Sequence, residues 1–223
     1  MMIFVDRRLF VLGIVPACAL AALGAPGFVR AQAPSNPSLN AQLLVAAREG
    51  DLAQLERALD AGAATSSRNR LGKTALVLAA EKGNLAIVEA LLRRGADVDQ
   101  ASIEGVTPLM AASYFGAAPV VKRLLAAGAR SDLRDRMSKP AIVYAAGQGQ
   151  AGAVDALLGS GIDVNAAYEH QLTVLMWAAG QGQLDTVKLL LERGAQRDLR
   201  DDRGLTAADI ARDAGQSAIA AVL

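Results

Sequence analysis

Beyond residue 38 the chain alternates short apolar stretches with polar, glycine-marked breaks, and the apolar positions keep helical spacing. In "LAIVEALLRR", residues 85–94, Ile87, Val88, Leu91 and Leu92 fall on one face of a helix. The pattern then returns every 33 residues. Leucine pairs recur at Leu91–Leu92, Leu124–Leu125, Leu157–Leu158 and Leu190–Leu191. Alanine holds Ala46, Ala79, Ala112, Ala145, Ala178 and Ala211, and glycine holds Gly50, Gly83, Gly116, Gly149, Gly182 and Gly215. A second glycine series runs Gly62, Gly95, Gly128, Gly161 and Gly194 at the same interval. Three residue types in register over this many periods define an internal repeat.

Each unit follows one grammar. Thr74, Thr107, Thr173 and Thr206 are placed to N-cap a short helix, their hydroxyls meeting free backbone N–H groups. Small alanines let that helix approach its neighbours, and the first glycine series ends it with a left-handed residue. A second amphipathic helix follows and stops at the second glycine series. A segment such as "ADVDQASIEGV" has the composition of an extended turn reaching toward the next unit. One such pair cannot bury its apolar face alone, so the units are expected to stack into a solenoid.

The segments "GKTALVLAAEKGNLAIVEALLRRGADVD" and "GVTPLMAASYFGAAPVVKRLLAAGA" resemble ankyrin repeats in their G-x-T-P-L, A-A-x-x-G, V-x-x-L-L and G-A elements. The resemblance covers residues 39–223 and implies an all-α ankyrin-repeat solenoid of stacked helix-turn-helix units with β-turn or hairpin fingers. About six repeats are expected, at 39–70, 71–101, 102–134, 135–167, 168–200 and 201–223. The first lacks the threonine motif, as an N-terminal cap would, and the last stops within its second helix. The histidine usual after T-P-L is replaced by Val77, Met110, Val143 and Met176, so its turn-linking hydrogen bonds are expected to give way to apolar packing. In "MSKPAIVYAAGQGQAGAVDALLGSG" Pro140 stands in the threonine column and cannot cap with a side chain, a loss of about 1 kcal/mol. Gly152 lies inside the following helix at a cost of about 0.5–1 kcal/mol against alanine. Residues 134–166 are therefore expected to be the softest part of the array.

In the family's geometry the two residues between A-A and G face the concave side. Here they are Glu81–Lys82, Tyr114–Phe115, Gly147–Gln148 and Gly180–Gln181. Leu109 and Ala112 mark a buried stripe that leaves residues 114 and 115 outside it, so the helical register agrees in part. Tyr144 and Trp177 share a column beside the paired alanines, expected to pack between helices with a ring edge reaching the groove. The turn tips, Arg70–Leu71, Ile103–Glu104, Arg136–Met137 and Glu169–His170, form a second expected surface. His170, without a second ligand in view, reads as a solvated side chain. The expected partner-binding residues are Tyr114, Phe115, Glu81, Lys82, Gln148, Gln181, Trp177, Tyr144, Arg136, Met137, Ile103 and Arg70. Displayed aromatics bury large area at little rotamer cost, which suits them to binding.

The first 33 residues read differently. "MMIFVDRR" carries charge, "LFVLGIVPACALAALG" is apolar, and "FVRAQA" ends in small residues, the three regions of a secretory signal. Residues 1–31 are expected to be a signal peptide cleaved after Ala31; cleavage after Ala33 would place Pro34 next to the cut. An uncleaved anchor is the alternative, though Gly13 and Pro16 break a run that is short for a span of about 20 residues. "DRRLFVL" resembles a twin-arginine export motif, departing from it at Asp6. "VPAC" resembles a lipoprotein box only weakly, because Pro16 is wrong for it. "QAPSNPS", residues 32–38, reads as a linker. Periplasmic or secreted localisation follows as an expectation.

Composition narrows function. The chain has 23 basic and 22 acidic residues, mixed throughout, which disfavours nucleic acid. Cys18 and His170 are each the sole residue of their type, and Cys18 lies in the expected signal. Neither a cysteine or histidine metal site nor a phosphate-cradling loop is legible, so no catalytic residues, metal or cofactor are expected. The acidic "DLRDDRG" is accounted for as a turn. The expectation is a monomeric, non-catalytic protein–protein interaction scaffold of the cell envelope with no membrane span in its mature chain. The alternatives are a chaperone-like accessory of an exported enzyme or a secreted host-directed effector.

Overall fold

The computed structural model describes residues 37–223. The expected signal peptide and residues 32–36 of the expected linker lie outside them. Pro37 and Ser38, expected in the linker, belong to the first helix, where a leading proline loses no helical hydrogen bond.

Among the described residues the chain forms six helix pairs. The first helices are α1 (Pro37–Glu49), α3 (Ala75–Glu81), α5 (Pro108–Tyr114), α7 (Ala141–Gly147), α9 (Val174–Gly180) and α11 (Ala207–Asp213). The second helices are α2 (Leu52–Asp60), α4 (Leu85–Arg93), α6 (Ala118–Ala126), α8 (Ala151–Leu158), α10 (Leu184–Glu192) and α12 (Ser217–Ala220). First helices pack on first helices and second on second, giving two parallel rows. The core is built from repeating columns. Leu43, Leu76, Leu109, Ile142 and Leu175 hold the inner row, while Leu55, Val88, Val121, Val154 and Val187 hold the outer, all buried. With the alanine column fully buried between them, the first helices can approach closely.

The caps act as the sequence requires. Thr74, Thr107, Thr173 and Thr206 accept hydrogen bonds from the N–H groups of Val77, Met110, Met176 and Asp209 at 3.2–3.3 Å. Pro140 offers no such bond. The histidine column is filled by more than apolar packing. Val77, Met110, Val143 and Met176 are buried, but the sulfurs of Met110 and Met176 also accept from the N–H of Thr107 and Thr173 at 3.5 and 3.4 Å. In the last unit Asp209 does this more strongly, its carboxylate accepting from Thr206 N and Oγ1 at 3.0 and 2.7 Å. The Thr206 hydroxyl and N–H, with Arg212, hold the Asp209 carboxyl down at about 2.

The fingers are tight turns; one isolated β-bridge, Arg68–Thr74, is the only pairing among the described residues. A polar residue organises most of them. Asn69 Oδ1 accepts from Leu71 and Lys73 N–H, and Asp135 and Asp201 repeat this pattern in their own turns. Asp201 is buried, which opposes its charge. The N–H groups of Leu205 and Arg203 and the Arg203 guanidinium outweigh that and hold its carboxyl below the usual range. Tyr168 occupies the same column and has no such acceptor. There the turn tightens into a 3-10 turn, Glu169–Gln171, with His170 and Gln171 both left-handed.

Successive tips are also tied through the backbone. Ile103, Arg136 and Asp202 N–H groups donate to the carbonyls of Leu71, Glu104 and His170, each at 3.1 Å. Among the described residues no counterpart joins Glu169 to Met137. A Cβ on Gly72 would stand 2.7 Å from Ile103 N, and one on Gly105 3.0 Å from Asp135 Cα, so the next finger comes close to those glycines. Ser138 and Gln171 hold the same column, each with φ 57°. The tie that follows Gln171 forms while the one that follows Ser138 does not, so a side chain in this column does not by itself account for the missing tie.

Candidate protein-binding trough

The side of the first helices away from the second row carries a trough, floored by α5, α7, α9 and α11. Tyr114 and Phe115 end α5, where Gly116 turns the chain away, and both rings stand in the open at 38% and 55% exposure. They meet edge to face at 5.0 Å, and Tyr114 meets Tyr144 of the next unit the same way at 5.9 Å. Tyr144 is half-buried, and its hydroxyl donates to the Asp135 carboxylate. Burial first, and then this bond, push its phenol well above the usual range, so it stays neutral and donating. Trp177 is likewise half-buried against the core, and Lys139 Nζ lies 4.7 Å above its ring.

These residues enclose three adjoining cavities. Tyr114, Phe115, Tyr144 and Glu81 line the first, of about 230 Å³. Tyr114, Tyr144, Met137, Lys139, Gln148, Trp177 and Gln181 line the second, of about 210 Å³. Trp177 and Gln181 pass into a third, of about 350 Å³, closed by Leu172, Ile210, Arg203 and Asp213. Shared walls make them one trough.

Of the expected partner-binding residues, Tyr114, Phe115, Tyr144, Trp177, Gln148, Gln181, Met137 and Glu81 come together there. Glu81 is bound to Lys73 at 2.5 Å. Lys82 is exposed as the residue after α3 and lines none of these cavities. Arg70, Ile103 and Arg136 are exposed at the tips outside the cavities, where Arg136 faces Glu104 at 3.7 Å. Groove and tips join at Met137, which is 60% exposed and reaches the second cavity. His170 is exposed but not free, its Nδ1 standing 2.9 Å from the Asp202 carboxylate of the next tip.

Sequence reasoning placed Gly147 on the concave side but missed Lys139 and the third cavity. The signal for Lys139 was present in the register: Lys73 and Lys139 share a column, as do Glu81 and Gly147.

Stacked helix pairs presenting an aromatic trough make this a repeat solenoid. A family model described as ankyrin repeats in three copies matches residues 43–135 and 142–223. The chain belongs to the ankyrin repeat family, whose repeats generally serve as protein–protein interaction modules and are typically non-catalytic. Comparison with curated proteins finds no match. Among the described residues no helix is long and apolar enough to cross a membrane.

Proposed function

We propose that this protein is a non-catalytic scaffold of the cell envelope that holds a partner protein in the trough and against the finger tips. The observation that carries the reading is the run of Tyr114, Phe115, Tyr144 and Trp177 across three successive units. Tyr114 stands ring against ring with Phe115 and Tyr144; Tyr114 and Phe115 are open to solvent, and Tyr144 and Trp177 are half-buried in the cavity walls. Aromatic clusters in concavities with a polar rim are where binding energy concentrates. The envelope assignment, periplasmic or secreted, rests on the three-part pattern of residues 1–31. The protein acts as a monomer in this reading.

The test is affinity capture from an envelope extract of the source organism, with wild type beside a Tyr114→Ala, Phe115→Ala double variant shown to be folded by circular dichroism. One protein retained by wild type and lost, tenfold or more, by the variant is the expected result. Equal retention by both would move the site to the tips. Retention by neither would overturn the specific scaffold.

A further inference from the structure

The repeat supplies its own template for a ligand in the second cavity. In the second unit Lys73 and Glu81 close an ion pair across the concave face at 2.5 Å. Two units later the lysine is kept as Lys139, while the carboxylate position is Gly147. No carboxylate among the described residues pairs with Lys139; its ammonium lies over the Trp177 ring instead, in a cavity lined by no acidic side chain. The nearby carboxylates are engaged elsewhere: Asp135 accepts from the Tyr144 hydroxyl, Glu81 holds Lys73, and Asp213 lies toward Arg203 in the next cavity. The cavity thus offers one partly buried cation, the Gln148 and Gln181 amides, and the walls of Tyr114, Tyr144 and Trp177. A cation so placed gains from a carboxylate that reaches it through an apolar opening, where the charge-assisted bond is poorly screened.

We propose that this part of the trough takes an acidic side chain from an extended segment of the partner. The segment is an Asp or Glu next to an aromatic or large aliphatic residue. Its carboxylate meets Lys139 Nζ as Glu81 meets Lys73, and its apolar neighbour lies against Tyr114 and Tyr144. This rests on the trough being a partner-binding surface. The fold also provides a way to close the site from within. Gly147 has no left-handed backbone angle, and a Cβ there would meet only Gln181 Cγ, at 4.0 Å. A Gly147→Glu variant can therefore place a carboxylate where Glu81 stands.

The experiment pans a phage-displayed random heptapeptide library against the immobilised full chain. The strongest peptides are then synthesised for titration by fluorescence anisotropy. The expected winners carry Asp or Glu beside Phe, Trp, Tyr or Leu. Their affinity is expected to fall tenfold or more with Lys139→Gln, with Gly147→Glu, and when the peptide's own acid is replaced by its amide. Winners without acidic residues, or affinities unchanged by both the Lys139 and Gly147 variants, would overturn the carboxylate proposal, as would a library that yields no binder. Peptides lost on Tyr114→Ala, Phe115→Ala but indifferent to Lys139 would leave the aromatic trough standing without the acidic ligand. Peptides indifferent to all these variants would overturn both readings.

Discussion

The second unit, α3–α4, and the fourth, α7–α8, share a backbone plan and differ in almost every device that secures it. The second has a threonine cap at Thr74, an asparagine cap at Asn84, a glycine tip at Gly72 and the Lys73–Glu81 pair across its inner face. The fourth begins its helices at Pro140 and Gln150 without side-chain capping bonds. It carries Gly152 within α8, bends its tip through a left-handed Ser138, and has Gly147 in place of the acid. The backbone tie between tips is missing on the far side of this finger. Yet Lys139, Tyr144, Gly147 and Gln148, which shape the centre of the trough, all come from this unit. The contrast teaches that local rules are relaxed where a surface is opened, while the buried columns through Ile142 and Val154 run on unbroken.

The contrast can be erased one device at a time. Pro140→Thr restores the missing cap at a residue whose backbone, φ −82° and ψ 171°, already matches the threonine caps. It should stabilise the protein by about 1 kcal/mol in urea denaturation. Amide exchange should show α7 and α8 opening before α3 and α4 in wild type, and the gap narrowing in the variant. Equal protection of the two units in wild type would break the comparison.

Ser138→Gly removes a side chain from a left-handed position and should add about 0.5–1 kcal/mol by the same denaturation measurement. At Gly72 and Gly105 the next finger stands 2.7 and 3.0 Å from where a Cβ would be. Slower exchange of the Glu169 amide would report a new tie to Met137. A loss of stability would show that the Ser138 side chain supports its turn instead.

The smallest effect concerns the caps themselves. The Asp209 carboxyl sits at about 2, below the unfolded value of about 3.9. A lowered folded value means its contribution is fully present above about pH 4 and is lost as pH falls toward 2. Thermal melts of wild type and Asp209→Ala should therefore differ most at pH 5 and converge on acidification to pH 2. A difference that stays constant across that range would show that the carboxylate is not the capping group. The Met110 and Met176 caps have no titrating group and should show no such trend.

Much of the fold was legible because its determinants are local. A threonine caps the N–H three residues on, a glycine permits the left-handed stop, and leucines four apart share a helix face, all within one turn of chain. The exposure of Tyr114 and Phe115 followed from the family's geometry, with which the helical register agreed in part. The linker end was misplaced because Pro37 and Ser38 suit a helix start as well as a loop. The tight fourth turn was missed because its cause, Tyr168 in a column of turn-making acceptors, is visible only once those acceptors are seen to hold the other turns.

By itself the sequence determined the period, the helix pairs, their glycine stops and the columns that pack, since each of these is decided by neighbours along the chain. Only the tertiary structure decided that Tyr114 meets Tyr144, that Lys139 lies on Trp177 instead of on an acid, and that three cavities join into one trough. Those contacts link residues of different units, and stacking sets the distance between them. The side chains on that surface then choose among partners according to which one the neighbouring unit has left unpaired.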